Sequence, residues 1–222
     1  LVNSEVADLV ALCDTETEIM NRFISEHIPE VPCPRKFTDQ DKLYAHSGLD
    51  GVVIATPHSL HYEHASRALS ADCHVLVEKP MVTNVADAYK LSEQVRASGK
   101  LLLIGYNTPC TPTFQRLRSI VRSKRLGPLE MVTGYLTQPW LDLTANNRPW
   151  KRDPDLAGGG QAYDSGAHLL NSLIWTVESN PTEVYAMVDF KGLAVDINSA
   201  IVTRFESGVL STIIISGNCP LS

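Results

Sequence analysis

"DGVVIATPHSLHYEHASRALSADCHVLVEKP", residues 50–80, decides the fold. Its outer segments "DGVVIAT" and "HVLV" are short apolar runs rich in Val, and "HSLHYEHASRALS" between them has helical spacing. Apolar strand, helix, apolar strand reads as a βαβ unit, whose strands run parallel and are covered on both faces. Pro80 cannot donate to a ladder, so the second strand stops where Glu78 and Lys79 emerge at the carboxyl edge of the sheet.

The same alternation extends on both sides. Upstream, "DLVALCD" (8–14) is an apolar run ending in an acid. "TETEIMNRFISEHI" (15–28) follows with Ile19, Phe23 and Ile24 on one side, and "DQDKLYAHSG" (39–48) is a short helix closed by Gly48. Downstream come a helix, "NVADAYKLSEQVRASG" (84–99), and a strand, "KLLLIG" (100–105). After Asn107 the pattern changes. A helix over 113–124 precedes "LEMVTGYLT" (129–137), a loop, a helix over 161–177 and three strand-like segments, 182–190, 197–205 and 209–216, with "FESG" as a hairpin turn. Strands in succession predict a mostly antiparallel sheet. The fold class expected is therefore α/β: a Rossmann-type parallel-sheet domain over 1–108, then an α+β domain with an open, mostly antiparallel sheet over 109–222. "LVNSEVADLVALCD" enters a strand at once and the chain contains no GxGxxG, so the first βα unit of the dinucleotide fold is expected to be missing.

A formal net charge of −6 argues against a nucleic-acid partner, since phosphate binding needs surplus Lys and Arg. No apolar run approaches the roughly 18 residues of a membrane span. Five cysteines without CxxC or zinc spacing read as reduced thiols in a cytoplasmic protein. An apolar segment such as "TIIIS" on an open sheet suggests a covering partner, hence a homodimer or homotetramer.

Several residues invite a chemical reading. Asp14 at a strand end suits adenosine ribose hydroxyls and disfavours a 2′-phosphate, so NAD over NADP; the competing reading is a helix-capping acid. Thr56 and Pro57 follow a strand, with His61 a turn into the helix, on the edge where open α/β sheets bind ligands. His58, His61 and His64 span about 120° of a helix, too wide for one compact metal site. At Glu78-Lys79, an ammonium able to stabilise charge on a substrate oxygen competes with an exposed strand-end pair. In "GGGQAYDSGAHLLNSLIW" three glycines lead into a helix on which Asp164, His168, Asn171 and Trp175 form a polar stripe. Leu170, Leu173, Ile174 and Val177 form an apolar one. The polar stripe leaves Asp164 and His168 facing outward for acid–base work, or as a plain surface pair.

Together, Asp14, "ATPHSLH", "HVLVEKP", "LLIGYN", "KRLGPLEMV", "DLAGGGQAYDSGAH" and "FESGVLSTI" resemble the glucose–fructose oxidoreductase and inositol dehydrogenase family, written Gfo/Idh/MocA. The resemblance implies NAD(P)-dependent oxidation or reduction of a sugar, cyclitol or similar polyol. It implies that Lys79 hydrogen-bonds the reacting oxygen, that His168 accepts the proton with Asp164 as its partner or as a substrate ligand, and that Asp14, Thr56, Pro57, His61, Glu78, Lys79 and Asn107 line the cofactor. It also implies a cis Lys79–Pro80 bond. The family's glycine-rich loop is absent, no basic residue follows Asn107 until Arg116, and "SGNCPLS" ends the chain early, so both ends read as clipped. Substrate choice would rest on Trp140, Asn146, Asn147, Arg148 and Trp150, which could equally anchor their loop. A non-catalytic scaffold and an NAD-dependent glycosidase with transient oxidation are the alternatives.

Overall fold

The computed structural model describes residues 7–28 and 33–220; the side chains of Asn146 and Asn147 lie outside the described set. The first half alternates strand and helix as the sequence predicts, with one addition, a short strand over Arg35–Phe37 that the sequence pattern does not predict. β1 (Ala11–Cys13), α1 (Thr17–His27), β2 (Arg35–Phe37) and α2 (Gln40–Tyr44) precede β3 (Gly51–Ile54), α3 (His61–Ser70), β4 (His74–Val77), α4 (Val85–Ser98) and β5 (Leu102–Ile104). All pairings are parallel: β1 with β2, and β3–β4–β5 as a three-stranded sheet.

Local chemistry fixes the helix ends. Asp39 caps α2 by accepting from the Asp41 amide at 2.8 Å, and Asn84 caps α4 by accepting from the Asp87 amide at 2.9 Å. Gly99 closes α4 in the left-handed region. The core lies between β4 and its helices, where Val75 and Val77 meet Ala65, Ala68 and Leu69 of α3 and Leu91 of α4. Two fully buried alanines let α3 lie close on the sheet. Each large side chain buried there contributes about 1.5–3 kcal/mol.

In the second half, α5 (Pro112–Ser123) leads to β6 (Met131–Thr137), α6 (Trp140–Asn147), a 3-10 turn over Pro149–Arg152, α7 (Pro154–Ala157), α8 (Gln161–Asp164) and α9 (Gly166–Val177). β7 (Pro181–Asp189), β8 (Asn198–Phe205) and β9 (Leu210–Ser216) complete it. The sheet order is β6-β9-β8-β7, with β6–β9 parallel and the other two pairs antiparallel. The β8–β9 turn is the hairpin expected, closed between Phe205 and Val209, with Gly208 at φ +87°. Leu173 of α9 packs on Phe205, Ile213 and Ile215. The opposite face is open: Tyr135, Tyr185, Met187 and Val202 are exposed on it.

Two expectations are corrected. The helix predicted over 161–177 is two helices, α8 and α9, meeting at Ser165. At the junction Gly166 lets β9 approach, for a Cβ there would sit 2.6 Å from Ile215 Cδ1. The loop expected between β6 and the glycines is largely helical and folds over the carboxyl edge of the parallel sheet.

Candidate active site

The centre of the site is a buried carboxylate. Asp164 ends α8 with its side chain 5% exposed. Lys79 Nζ, delivered by the end of β4, lies 2.6 Å from Asp164 Oδ1 and 3.0 Å from the Asp164 carbonyl oxygen. Lys151 Nζ lies 2.6 Å from Asp164 Oδ2, which also accepts from Trp140 Nε1 at 2.9 Å. Burial alone would raise the Asp164 carboxyl; the Lys79 charge and the donors from Lys151, Lys79 and Trp140 outweigh it and hold the group well below the usual carboxylate range. Lys151 is pushed down by its own burial, and Asp164 opposes that shift.

This overturns the outward-facing Asp164–His168 pair. Asp164 is buried, and both its oxygens are taken by donors other than His168. His168 stands one turn along, half-buried, with the Tyr106 ring edge-on at 5.9 Å. Its Nδ1 is enclosed and has no partner among the described residues. Burial and then the Lys79 charge push His168 below the ordinary imidazole value, so the ring is neutral near pH 7.

Lys79, Asp164 and His168 border one cavity of about 630 Å³, together with Asn107, Trp140, Arg148 and Lys151. Lys151 is the residue the sequence did not single out. It is thirteen positions from Asp164, in a 3-10 turn, and no helical or strand period joins the two.

The remaining predicted residues divide. Thr56 and Pro57 follow β3, half-buried, with Thr56 Oγ1 3.0 Å from His64 Nδ1. Glu78 is exposed beside Lys79, and a side chain at Gly105 would crowd it, since a Cβ there lies 3.3 Å from Glu78 Oε2. Asp14 ends β1 and accepts from the Glu16 amide at 2.9 Å. His61 presents no ring surface to a ligand. It is fully buried, with Nδ1 2.7 Å from the Pro80 carbonyl and Nε2 2.9 Å from that of Thr56, so it clasps the two loop starts together. The Lys79–Pro80 bond is cis. His58 is buried as well, on the Ala157 carbonyl and edge-on to Trp150, which therefore anchors its loop. Among the described residues no cluster of His, Cys, Asp or Glu could hold a metal ion.

The glycines before Asp164 serve the fold. A Cβ at Gly160 would overlap the Asp196 carbonyl and lie 2.6 Å from its amide nitrogen. The close approach lets the Asp196 carboxylate accept from the Gly160 and Ala162 amides at 2.7 Å each, fixing the start of α8 and so the position of Asp164.

Thr56, Glu78, Lys79 and Asn107 follow the carboxyl ends of β3, β4 and β5, the edge at which open parallel sheets hold dinucleotides. A family described as "Oxidoreductase family, NAD-binding Rossmann fold" matches residues 1–106, and "GFO/IDH/MocA C-terminal domain" matches residues 114–222. The D-xylose 1-dehydrogenase [NADP(+)] of Haloarcula marismortui is 28% identical over 144 residues, 65% of this chain and 40% of its own length. The 1-carboxy-3-chloro-3,4-dihydroxycyclohexa-1,5-diene dehydrogenase of Comamonas testosteroni is 26% identical over 94% of this chain and 51% of its own length. The solved aldose-aldose oxidoreductase of Caulobacter crescentus, complexed with glycerol, superposes with a TM-score of 0.80 at 25% identity, over 95% of this chain and 63% of its own. The chain thus spans about half the length of the curated relatives it matches. With a parallel NAD-binding domain, a mixed sheet behind it and matches to both halves of one family, the chain belongs to the GFO/IDH/MocA oxidoreductases.

Proposed function

We propose that the protein interconverts a CH–OH group and a carbonyl on a sugar, cyclitol or related polyol bound in the cavity beside Lys79. When bound, the nicotinamide supplies the acceptor for the hydride leaving the substrate carbon. The chain's own residues manage the oxygen and its proton. An ammonium has three donors. Lys79 spends two on Asp164, so the third is available to a substrate oxygen, where it stabilises the negative charge that develops as the O–H proton departs. His168, neutral and bordering the same space, takes that proton at Nε2, the ring nitrogen that is not enclosed. Asp164 fixes the Lys79 ammonium in place and does not titrate near neutrality.

The single observation carrying this reading is that Lys79, from the parallel half, and His168, from the other, border one cavity although the sequence separates them widely. Asp14, Thr56, Pro57, Glu78, Lys79 and Asn107 form the cofactor side, with NAD preferred over NADP because Asp14 would repel a 2′-phosphate. We place the protein in the cytoplasm, on the strength of its unpaired cysteines, and assign a second copy to the exposed outer face of the β6–β9–β8–β7 sheet.

Calorimetric titration with NAD and NADP, followed by a polyol screen read by nicotinamide absorbance, tests the function. NAD binding with turnover of at least one polyol is expected. A chain that binds dinucleotide but turns over no member of a broad polyol panel would overturn the reading.

A further inference from the structure

The charges lining the cavity do not balance. Among the described residues Lys79, Arg148 and Lys151 line it with Asp164 as the lone carboxylate, and both Asp164 oxygens already accept from the two lysines and Trp140. Lys79 and Lys151 are largely withdrawn from water, with side chains 13% and 10% exposed, so two nearly buried ammoniums share one counter-charge. Arg148, at the rim, is exposed and makes no ion pair among the described residues. Its neighbour Arg152 is spent inward, on Thr144 Oγ1 at 3.0 Å and on the Leu141 carbonyl. Glu78 lies outside the lining, on the cofactor side, and His168 is neutral. A concave site with surplus cations and low exposure focuses a positive potential, which a neutral polyol cannot compensate.

Resting on the oxidoreductase reading above, we infer that the substrate is an anionic polyol derivative, a sugar or cyclitol bearing a carboxylate or phosphate, whose oxyanion is received by Arg148 while a ring hydroxyl meets Lys79. The planar guanidinium offers paired N–H donors that match two oxygens of either group. Lys151, lining the same cavity, contributes to the potential and has donors beyond the one directed at Oδ2. The cavity volume of about 630 Å³ is in the range that encloses a small ligand.

The test is calorimetric binding to the NADH-loaded protein of matched sets: glucose, glucuronate and glucose 6-phosphate; galactose, galacturonate and galactose 6-phosphate. In at least one set an anionic member is expected to bind about tenfold or more tightly than its neutral parent, with the advantage shrinking as salt is raised. Comparison of the uronate with the phosphate ester identifies the oxyanion. Arg148→Gln is expected to remove most of that advantage and Arg148→Lys to retain part of it. Neutral sugars binding as well as or better than their anionic partners would overturn the substrate class and leave the parent reading standing. An advantage unaltered in Arg148→Gln would overturn the role of Arg148. NADH binding with no binding by any member of these sets and none by the broad polyol panel would overturn the parent reading and the inference together.

Discussion

Lys79 Nζ and Asp164 Oδ1 lie 2.6 Å apart although 85 positions separate the residues, and this contact joins the end of β4 to the end of α8 across the two halves of the chain. The carboxylate is shared: what Lys79 leaves, Lys151 and Trp140 take. The site is therefore a compact charged cluster that borders the same cavity as His168.

Removing the shared carboxylate strands two ammoniums. Asp164→Asn is expected to destabilise the fold by about 3–5 kcal/mol, the usual consequence of leaving buried charge without its partner. Thermal unfolding should show this as a drop of roughly 2–4 °C per kcal/mol. The double variant Asp164→Asn/Lys151→Met should recover part of the loss. An Asp164→Asn melting temperature equal to wild type would refute the shared-carboxylate account.

Acidification acts through the histidines. Burial holds His58, His64 and His168 below their ordinary value of 6.5. Between the folded values and 6.5 the unfolded chain binds more protons than the folded one, so stability rises with pH in that window. This contribution is complete above 6.5 and is lost as pH falls below it. Activity should fall on an acid limb whose midpoint also lies below 6.5, because His168 must be neutral to accept a proton. His168→Asn should abolish that limb in the pH profile of kcat/KM. A limb that persists in the variant belongs to another group.

Gly160 is a packing requirement. Gly160→Ala should cost about 2 kcal/mol or more, because the intruding Cβ meets backbone of Asp196 that no rotamer change can move. Equilibrium denaturation measures it. A neutral substitution would mean the Asp196 segment yields.

The outer sheet face carries the assembly prediction. Met187 is 81% exposed and Tyr185 69%, side by side on β7. Met187→Glu should shift a wild-type dimer to monomer in sedimentation equilibrium. A wild-type chain already monomeric would contradict the proposed second copy.

The parallel half was legible at β1, β3, β4 and β5, which are short apolar runs, a local pattern that does not depend on partners; β2, Arg35–Phe37, carries two charges in three residues and gave no such signal. "EKP" marks the carboxyl edge of the sheet by an equally local signal: Pro80 cannot continue the ladder, and β4 ends at Val77. Asp164 and His168 stood out through helical spacing, yet that spacing misled about direction. It assumed that the face opposite the apolar stripe meets solvent, whereas Lys79, Lys151 and Trp140 cover Asp164 there. Lys151 had no local signal at all. Its pairing with Asp164 depends on how the 3-10 turn over Pro149–Arg152 is laid against α8, a matter of tertiary packing. His61 shows the converse: a histidine at a ligand edge whose ring nitrogens both serve backbone carbonyls.

Lys79→Met, compared with wild type for turnover of the best polyol and for NADH affinity, tests the central claim most directly. Removing a donor aimed at developing oxyanion charge should lower kcat about 10²–10³-fold while the Kd for NADH stays within a few fold. Turnover unchanged by Lys79→Met would contradict the role assigned to Lys79 and, with it, the account of the site.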